Sequence, residues 1–479
     1  MQRLLYQLDE HARRRPNVTA FFDGTQCHTW DDYRRSIHAI GARAATRLPE
    51  STSVILSAQN SFGFACALIG LMAVGKSVLV THPDSTDTEL ASLAGQIDAD
   101  TAVVDDTSRA AAENSGLTIW PIENAIAEGT EGPTPNGDGS LLLQSSSTTG
   151  PPKLVRRGDA ALEVVACNVA KSVGLRPSDR VLAVVPMTHS YGIECNVLGP
   201  LWAGAGVVVM QGFDHAVLTE AKARTNATVL PGVPAMYEML ARIEAARRPM
   251  LGLRRAFSAG APMPEAIHRE LAGAGLSVGQ LYGSTETGAV TFEAGNAPGF
   301  DPTGAGFPMP GVQIRILDAD DLDIEDPLPT GTDGHIAVLS PSGFSCYEND
   351  PELTERSRLN GYFLTGDLGH VDPYGRLHVT GRLKLMIDVG AVKVNPAEVE
   401  HVLRSAPGVQ DCIVVPINIS QTVRRVKALI EPIPDHAPSV DSLRRHARLH
   451  LSPHKVPRVF EFRDSFPRSP TGKILRSRL

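Results

Sequence analysis

The sequence lacks any apolar run long enough to cross a bilayer. The longest, Phe62 to Gly75, ends at Lys76, well short of the ~20 residues a span needs, and reads as a buried helix. Cysteine is sparse. The six, Cys27, Cys66, Cys167, Cys195, Cys346 and Cys412, form no CxxC pair and no Cys/His cluster at metal-ligand spacing, which excludes a zinc module and suits a reducing compartment. Met1 to Pro16 carries charges throughout and has no apolar leader core, so a cytoplasmic protein without a membrane partner is expected. Excess positive charge is also missing. Lys plus Arg number 45 against 53 Asp plus Glu, a formal net charge of -8, which argues against a nucleic-acid partner. One local basic cluster remains, Arg444, Arg445, His446, Arg448, Lys455 and Arg458. It reads either as a solvated helix face or as a surface for an anionic acceptor.

What is present is an ordinary globular composition, 42% hydrophobic and 20% charged over 479 residues, which predicts a large body plus at least one further domain. Short β-rich segments alternate with helical ones, the pattern of parallel sheets covered by helices. Strands are expected at Ser53–Ser57, Val181–Val185, Val207–Met210 and Thr228–Leu230. Leu162, Val165, Ala166, Val169 and Val173 recur at helical spacing within Asp159 to Val173, and Gly174 ends that helix. Asp372-Pro373-Tyr374-Gly375 has the residues of a type I turn. Asn395-Pro396-Ala397-Glu398 reads as a helix start, so a small α+β domain begins nearby.

The segment Ser145 to Lys153 follows the strand-like Leu141-Leu142-Leu143 and combines hydroxyls, glycine and one ammonium, the groups that bind a polyphosphate. Two prolines interrupt it and GxxxxGK[ST] is absent, so it is not a Walker loop. On composition alone an ordinary loop is the competing reading.

Ser146-Ser147-Thr148-Thr149-Gly150-Pro151-Pro152-Lys153 resembles the phosphate-loop signature of the adenylate-forming superfamily, which spans acyl- and aryl-CoA ligases, adenylation domains and luciferases. Four further motifs of that superfamily follow in order: Tyr282-Gly283-Ser284-Thr285-Glu286, Tyr362 to Asp367, Gly381-Arg382-Leu383-Lys384 and Pro470-Thr471-Gly472-Lys473-Ile474. The resemblance implies an α/β fold: a large N-terminal body of doubly wound sheets plus a small barrel-like part, and a small mobile α+β C-terminal domain. It implies a core over residues 1–382, a hinge at 383–385 centred on Lys384, and a lid over 386–479.

The implied reaction is attack of a carboxylate on the α-phosphorus of ATP with loss of pyrophosphate, two anions that need positive charge between them. By resemblance Glu286 holds Mg²⁺, Thr285 contacts the α-phosphate, and Lys473 bridges carboxylate and phosphate. Asp367 accepts from the ribose hydroxyls with Arg382 beside it, Tyr282 and Gly283 flank adenine, and Gly260-Ala261-Pro262 lets the base approach backbone. Pro186 to Gly192 resembles the segment whose histidine borders the acid, here His189. Tyr191, Gly192, Glu194, Cys195, Asn196, Ser258 and Ser284 are further pocket candidates. No Asp follows that segment before Asp214, which disfavours α-amino acids and leaves aryl or medium-sized acyl acids. In the second half-reaction Val389 to Lys393 faces the site and a thiol takes the acyl group, from CoA or from the phosphopantetheine of an acyl or peptidyl carrier protein. Leu154, Asp388 and Ala391 depart from the family pattern. An amine acceptor and a silent nucleotide-binding homologue therefore stay open as alternatives.

Overall fold

The computed structural model describes residues 1–48, 53–127, 137–145, 153–318, 322, 324, 326–382, 387–389, 392–394, 396–420 and 423–466. The loop residues 146–152, the hinge 383–385 with Lys384, Ala391, Asn395 and the terminal motif 470–474 with Lys473 lie outside them.

Two large sheets form the body. One has seven strands, in the order Cys346–Tyr347, Lys153–Gly158, Ser140–Ser145, Ser77–Thr81, Ser53–Ser57, Thr101–Val104, Thr118–Pro121. Its last five strands are mutually parallel, and Ser53–Ser57 is buried throughout, as a strand covered on both faces must be. The other sheet has nine strands, among them Gly288–Glu293, Val278–Ser284, Arg255–Ser258 and Val229–Gly232 as neighbours. The apolar run of the sequence is the helix Phe62–Ala73, buried at every residue but Gly63, inside the core cluster that also holds Val54, Val78 and Phe21. Among the described residues no helix is long and apolar enough to cross a membrane.

The expected barrel-like part is a five-stranded antiparallel sheet built on Gln313–Leu317, Gly334–Leu339, Arg358–Leu359, Tyr362–Val371 and Leu377–Arg382. Its last hairpin turns at Asp372 to Gly375, where the Gly375 N–H donates to the Asp372 carbonyl (3.0 Å) and Gly375 takes φ +87°, a left-handed angle that glycine adopts without strain. The C-terminal region has its own core of Val399, Leu403, Val414, Ile430 and Leu443. It carries a three-stranded sheet, Val409–Asn418, Arg424–Pro432 and Val459–Phe462, with helices Pro396–Arg404 and Val440–His450.

Helix Asp159–Val173 ends at Gly174 as expected, in the left-handed conformation. The expected strand Val181–Val185 is instead Arg180–Ala183. The chain leaves the ladder there, and the Val184 N–H turns back to the Leu182 carbonyl. The other two run Gly206–Val209 and Val229–Gly232. The basic cluster is not one surface. Arg444 pairs with Asp441 (3.2 Å), whereas Lys455 is buried between Glu398 (2.8 Å) and Glu89 (3.4 Å). Glu89 belongs to the body, and it also accepts from the Ser452 N–H (3.0 Å) and hydroxyl (2.5 Å). A second contact, Ser420 Oγ to Glu238 Oε2 (2.8 Å), also ties the C-terminal region to the body.

Candidate functional site

The strand Val278–Ser284 delivers Tyr282 to one end of the site, and Tyr362–Val371 delivers Asp367 to the same place. The Tyr282 hydroxyl donates to Asp367 Oδ2 at 2.7 Å, and Asp367 is 3% exposed. Behind them His335 Nε2 accepts from the Gly366 N–H (2.9 Å), so that nitrogen is unprotonated; burial lowers the His335 pKa while Asp367 opposes the shift. Gly366 and Gly260 sit at φ +74° and +88°, left-handed angles inside the strand Tyr362–Val371 and just after the strand Arg255–Ser258.

Next along the chain is a tight turn that presents Thr285 and Glu286. Ser284 and Thr287 close it reciprocally: the Ser284 N–H donates to Thr287 Oγ1 (3.1 Å) and the Thr287 N–H to Ser284 Oγ (3.2 Å). Ser284, half-buried, thus takes part in the turn. Gly283 is needed for packing, since a Cβ there would lie 2.3 Å from the Gly288 carbonyl. Glu286, 8% exposed, accepts on Oε1 from the Ser145 hydroxyl (2.7 Å) and the Tyr347 hydroxyl (3.0 Å). Burial, then the Glu286 charge, pushes the Tyr347 phenol up, so it stays a proton donor. Lys153 places its ammonium 4.9 Å from the Tyr347 ring centroid. Ser145 and Lys153 are register partners on adjacent antiparallel strands, so both ends of the expected phosphate loop stand beside Glu286. Leu154 points the other way, buried with Ile55, Leu79 and Leu142, which accounts for an apolar residue where the family pattern has glycine.

The third wall starts at His189, which precedes a continuous helical stretch, Ser190–Gly192, then a π-helical turn Ile193–Leu198, then Gly199–Ala203. His189 is partly open along one edge, yet its Nε2 is sealed and has no partner among the described residues. Burial, with His82 adding to it, lowers its pKa to about 4, so the ring is neutral at pH 7. Asn196 Oδ1 and Ser258 Oγ are likewise sealed and unpartnered among the described residues. Tyr191 is tied by its hydroxyl to the carbonyls of Gly232 (3.2 Å) and Phe257 (3.4 Å). Two of the pocket candidates are packing residues. Gly192 admits the Pro186 carbonyl, which a Cβ would meet at 1.9 Å, and Cys195 sits in the main hydrophobic core.

Comparison with known proteins decides the family. The AMP-binding enzyme model matches residues 8–348, and the AMP-binding enzyme C-terminal domain model matches residues 398–473. The chain belongs to the AMP-binding enzyme family. A feruloyl-CoA synthase from an Amycolatopsis species is 29% identical over 97% of this chain and 96% of its own length. A malonyl-CoA ligase, solved as a ternary product complex with methylmalonyl-CoA and AMP, is 26% identical with a TM-score of 0.84, covering 94% of this chain and 97% of that one. An amide bond synthetase from Marinactinospora thermotolerans superposes with a TM-score of 0.88 at 24% identity, over 99% and 98% of the two chains, a likeness of fold. As a member of this family the chain is an AMP-forming ligase that activates a carboxylic acid with ATP.

In this AMP-binding enzyme the sequence reading missed several groups. Tyr347 lies far from Glu286 in sequence, and no motif flags it. His454 stands against His82 with ring centroids 5.5 Å apart, and burial, followed by Lys455, His82 and His189, lowers its pKa to about 3. The C-terminal region therefore meets the body beside His82 and His189. The backbone of Arg382 pairs with Asp367 across the hairpin.

Proposed function

We propose that this chain adenylates an aryl or medium-sized acyl carboxylic acid and transfers it to the thiol of CoA or of a carrier-protein phosphopantetheine. The observation that carries the reading is the convergence of Ser145 and Tyr347 on Glu286, with the Lys153 ammonium over the Tyr347 ring. It gathers one carboxylate, two hydroxyls and an ammonium where a triphosphate would lie.

Tyr282 and Asp367 take the nucleoside end, with Asp367 accepting from ribose hydroxyls and Arg382, Gly260, Ala261 and Pro262 completing the cleft. Thr285 and the loop Ser146 to Gly150 contact the phosphates. Glu286 suits Mg²⁺ shared with substrate phosphates, since that ion is usually held by one or two carboxylates. Among the described residues no group of three His, Cys, Asp or Glu side chains is placed to hold a metal alone. When bound, the ion would screen phosphate charge. Lys473, delivered by the lid over 386–479 turning at Lys384, neutralises the attacking carboxylate. Neutral His189 borders that carboxylate without adding charge. The body is residues 1–382 and the hinge 383–385.

The acid class rests on the similarity to a feruloyl-CoA synthase and on the lack of a carboxylate in the His189 segment to hold an α-ammonium, since Glu194 is already paired with Arg157. Pyrophosphate release is to be measured over aryl, fatty, dicarboxylic and β-amino acids with ATP and Mg²⁺, with and without CoA. Aryl or medium acyl turnover that ends in a CoA thioester supports the reading. Turnover with β-amino or dicarboxylic acids alone contradicts it.

A further inference from the structure

Successive residues of a strand point to opposite faces, and the pair Arg156-Arg157 on Lys153–Gly158 uses this. Arg156 forks onto Glu348 (2.7 and 2.9 Å) on one face. Arg157 points into the protein and is 0% exposed. Its Nη1 donates to the Glu194 carboxylate and to Ser190 Oγ (3.0 Å). Glu194, 3% exposed, also accepts from Ser190 Oγ (2.7 Å) on Oε1 and from the Ala289 N–H (2.9 Å) on Oε2.

One buried ion pair thus joins three segments. Arg157 lies on the strand that leaves the phosphate loop, Glu194 and Ser190 on the helix that begins after His189, and Ala289 on the strand that follows Thr285–Glu286. Glu194 falls within the π-helical turn Ile193–Leu198, a deformation concentrated at functional sites. Gly288, at φ +66°, leaves room for the pair, because a Cβ there would stand 2.5 Å from Arg157 Nη2.

The arrangement is a poor way to gain stability alone. Arg157 Nε and Nη2 are sealed without partners among the described residues, and a buried ion pair is often matched or bettered by apolar residues of similar size. We propose that Arg157 and Glu194 are a positioning pair for the acid half-site. They hold the His189 wall at a fixed distance from the phosphate-loop strand and the Glu286 turn, so that the acid carboxylate meets the α-phosphorus. The proposal rests on the acid-activating reading, and neither residue touches the reacting atoms.

The test is the double variant Arg157→Met/Glu194→Met, with Tm, kcat, acid KM and ATP KM measured by pyrophosphate release on the acid the wild type turns over best. A Tm near wild type, kcat/KM for the acid lowered at least about thirtyfold (~2 kcal/mol), and ATP KM within about twofold are expected, because Tyr282 and Asp367 lie outside the pair's contacts. Wild-type acid kinetics in the folded double variant overturn the proposal, as does an equal rise of both KM values. Should the double variant not fold, Arg157→Lys keeps the charge without the planar fork; a raised acid KM alone is then expected, and an unchanged one overturns the proposal. A wild type that releases no acid-dependent pyrophosphate overturns the acid-activating reading and this proposal together, and is recognised before any variant is made.

Discussion

The hydroxyl of Tyr282 donates to the carboxylate of Asp367 across 2.7 Å, which links the strand of the YGSTE motif to the strand of the YFLTGD motif. The tie fixes the ring and the carboxylate relative to each other before a nucleotide arrives. Tyr282→Phe keeps the ring but leaves a buried carboxylate short of one donor, which costs about 1–3 kcal/mol. The expected result is an ATP KM raised about five- to a hundredfold, with acid KM little changed, measured by steady-state kinetics. Asp367→Ala is expected to weaken ATP further, since the acceptor itself is gone.

Lys473→Ala should lower adenylate formation at least about a hundredfold through loss of charge stabilisation. Thioester formation from a supplied acyl adenylate should be spared. Lys384→Pro should do the reverse, because it restricts the hinge and not the first step. Single-turnover assays of the two half-reactions separate these; equal loss of both steps in either variant contradicts the two-pose scheme.

The C-terminal region is docked through Glu89, which receives Ser452 and Lys455. Breaking a buried ion pair by removing one partner costs about 3–5 kcal/mol. Glu89→Gln is therefore expected to loosen the docked region and to make it cleave faster under limited proteolysis, while the body stays intact. Unchanged cleavage would show the contact to be incidental.

Acid should act on the same junction. His454 and His189 have pKa values lowered to about 3 and about 4, below the ~6.5 of a free imidazole. The unfolded or undocked chain then takes up protons first as pH falls. The stability is fully present above about 6.5 and is lost progressively down to the lowered values. Around the pair stand His82, Asp84, Glu89 and Lys455; the acidic groups favour protonation of His82 and Lys455 opposes it. A Tm that falls from pH 6.5 to pH 5, with a smaller fall in His454→Gln, is expected from differential scanning calorimetry. An equal fall in both would remove His454 from the account.

Much of the site was legible because it lies in short local motifs. Tyr282, Glu286 and Asp367 were found from their neighbours in sequence, and the structure brings the first and third together. Strand existence was legible too, but strand ends were not: Val184 and Val185 are as apolar as Val181, and only the backbone turn at Val184 stops the ladder. Glu194 stood in the sequence as a pocket candidate and no motif marked Arg157, since pairing across 37 positions leaves no periodic trace. The same holds for Lys455 against Glu89, and for Tyr347 against Glu286. Gly192 and Cys195 sit in the right segment, but their packing roles depend on what faces them.

The central claim is that Glu286 and its ring of donors serve acid activation by ATP, and acid-dependent ATP–pyrophosphate exchange tests it most directly. The account predicts exchange that requires an aryl or medium acyl acid and Mg²⁺, and that falls at least about a hundredfold in Glu286→Gln while nucleotide binding persists. Exchange at the wild-type rate in Glu286→Gln, or none with any acid in the wild type, would contradict it.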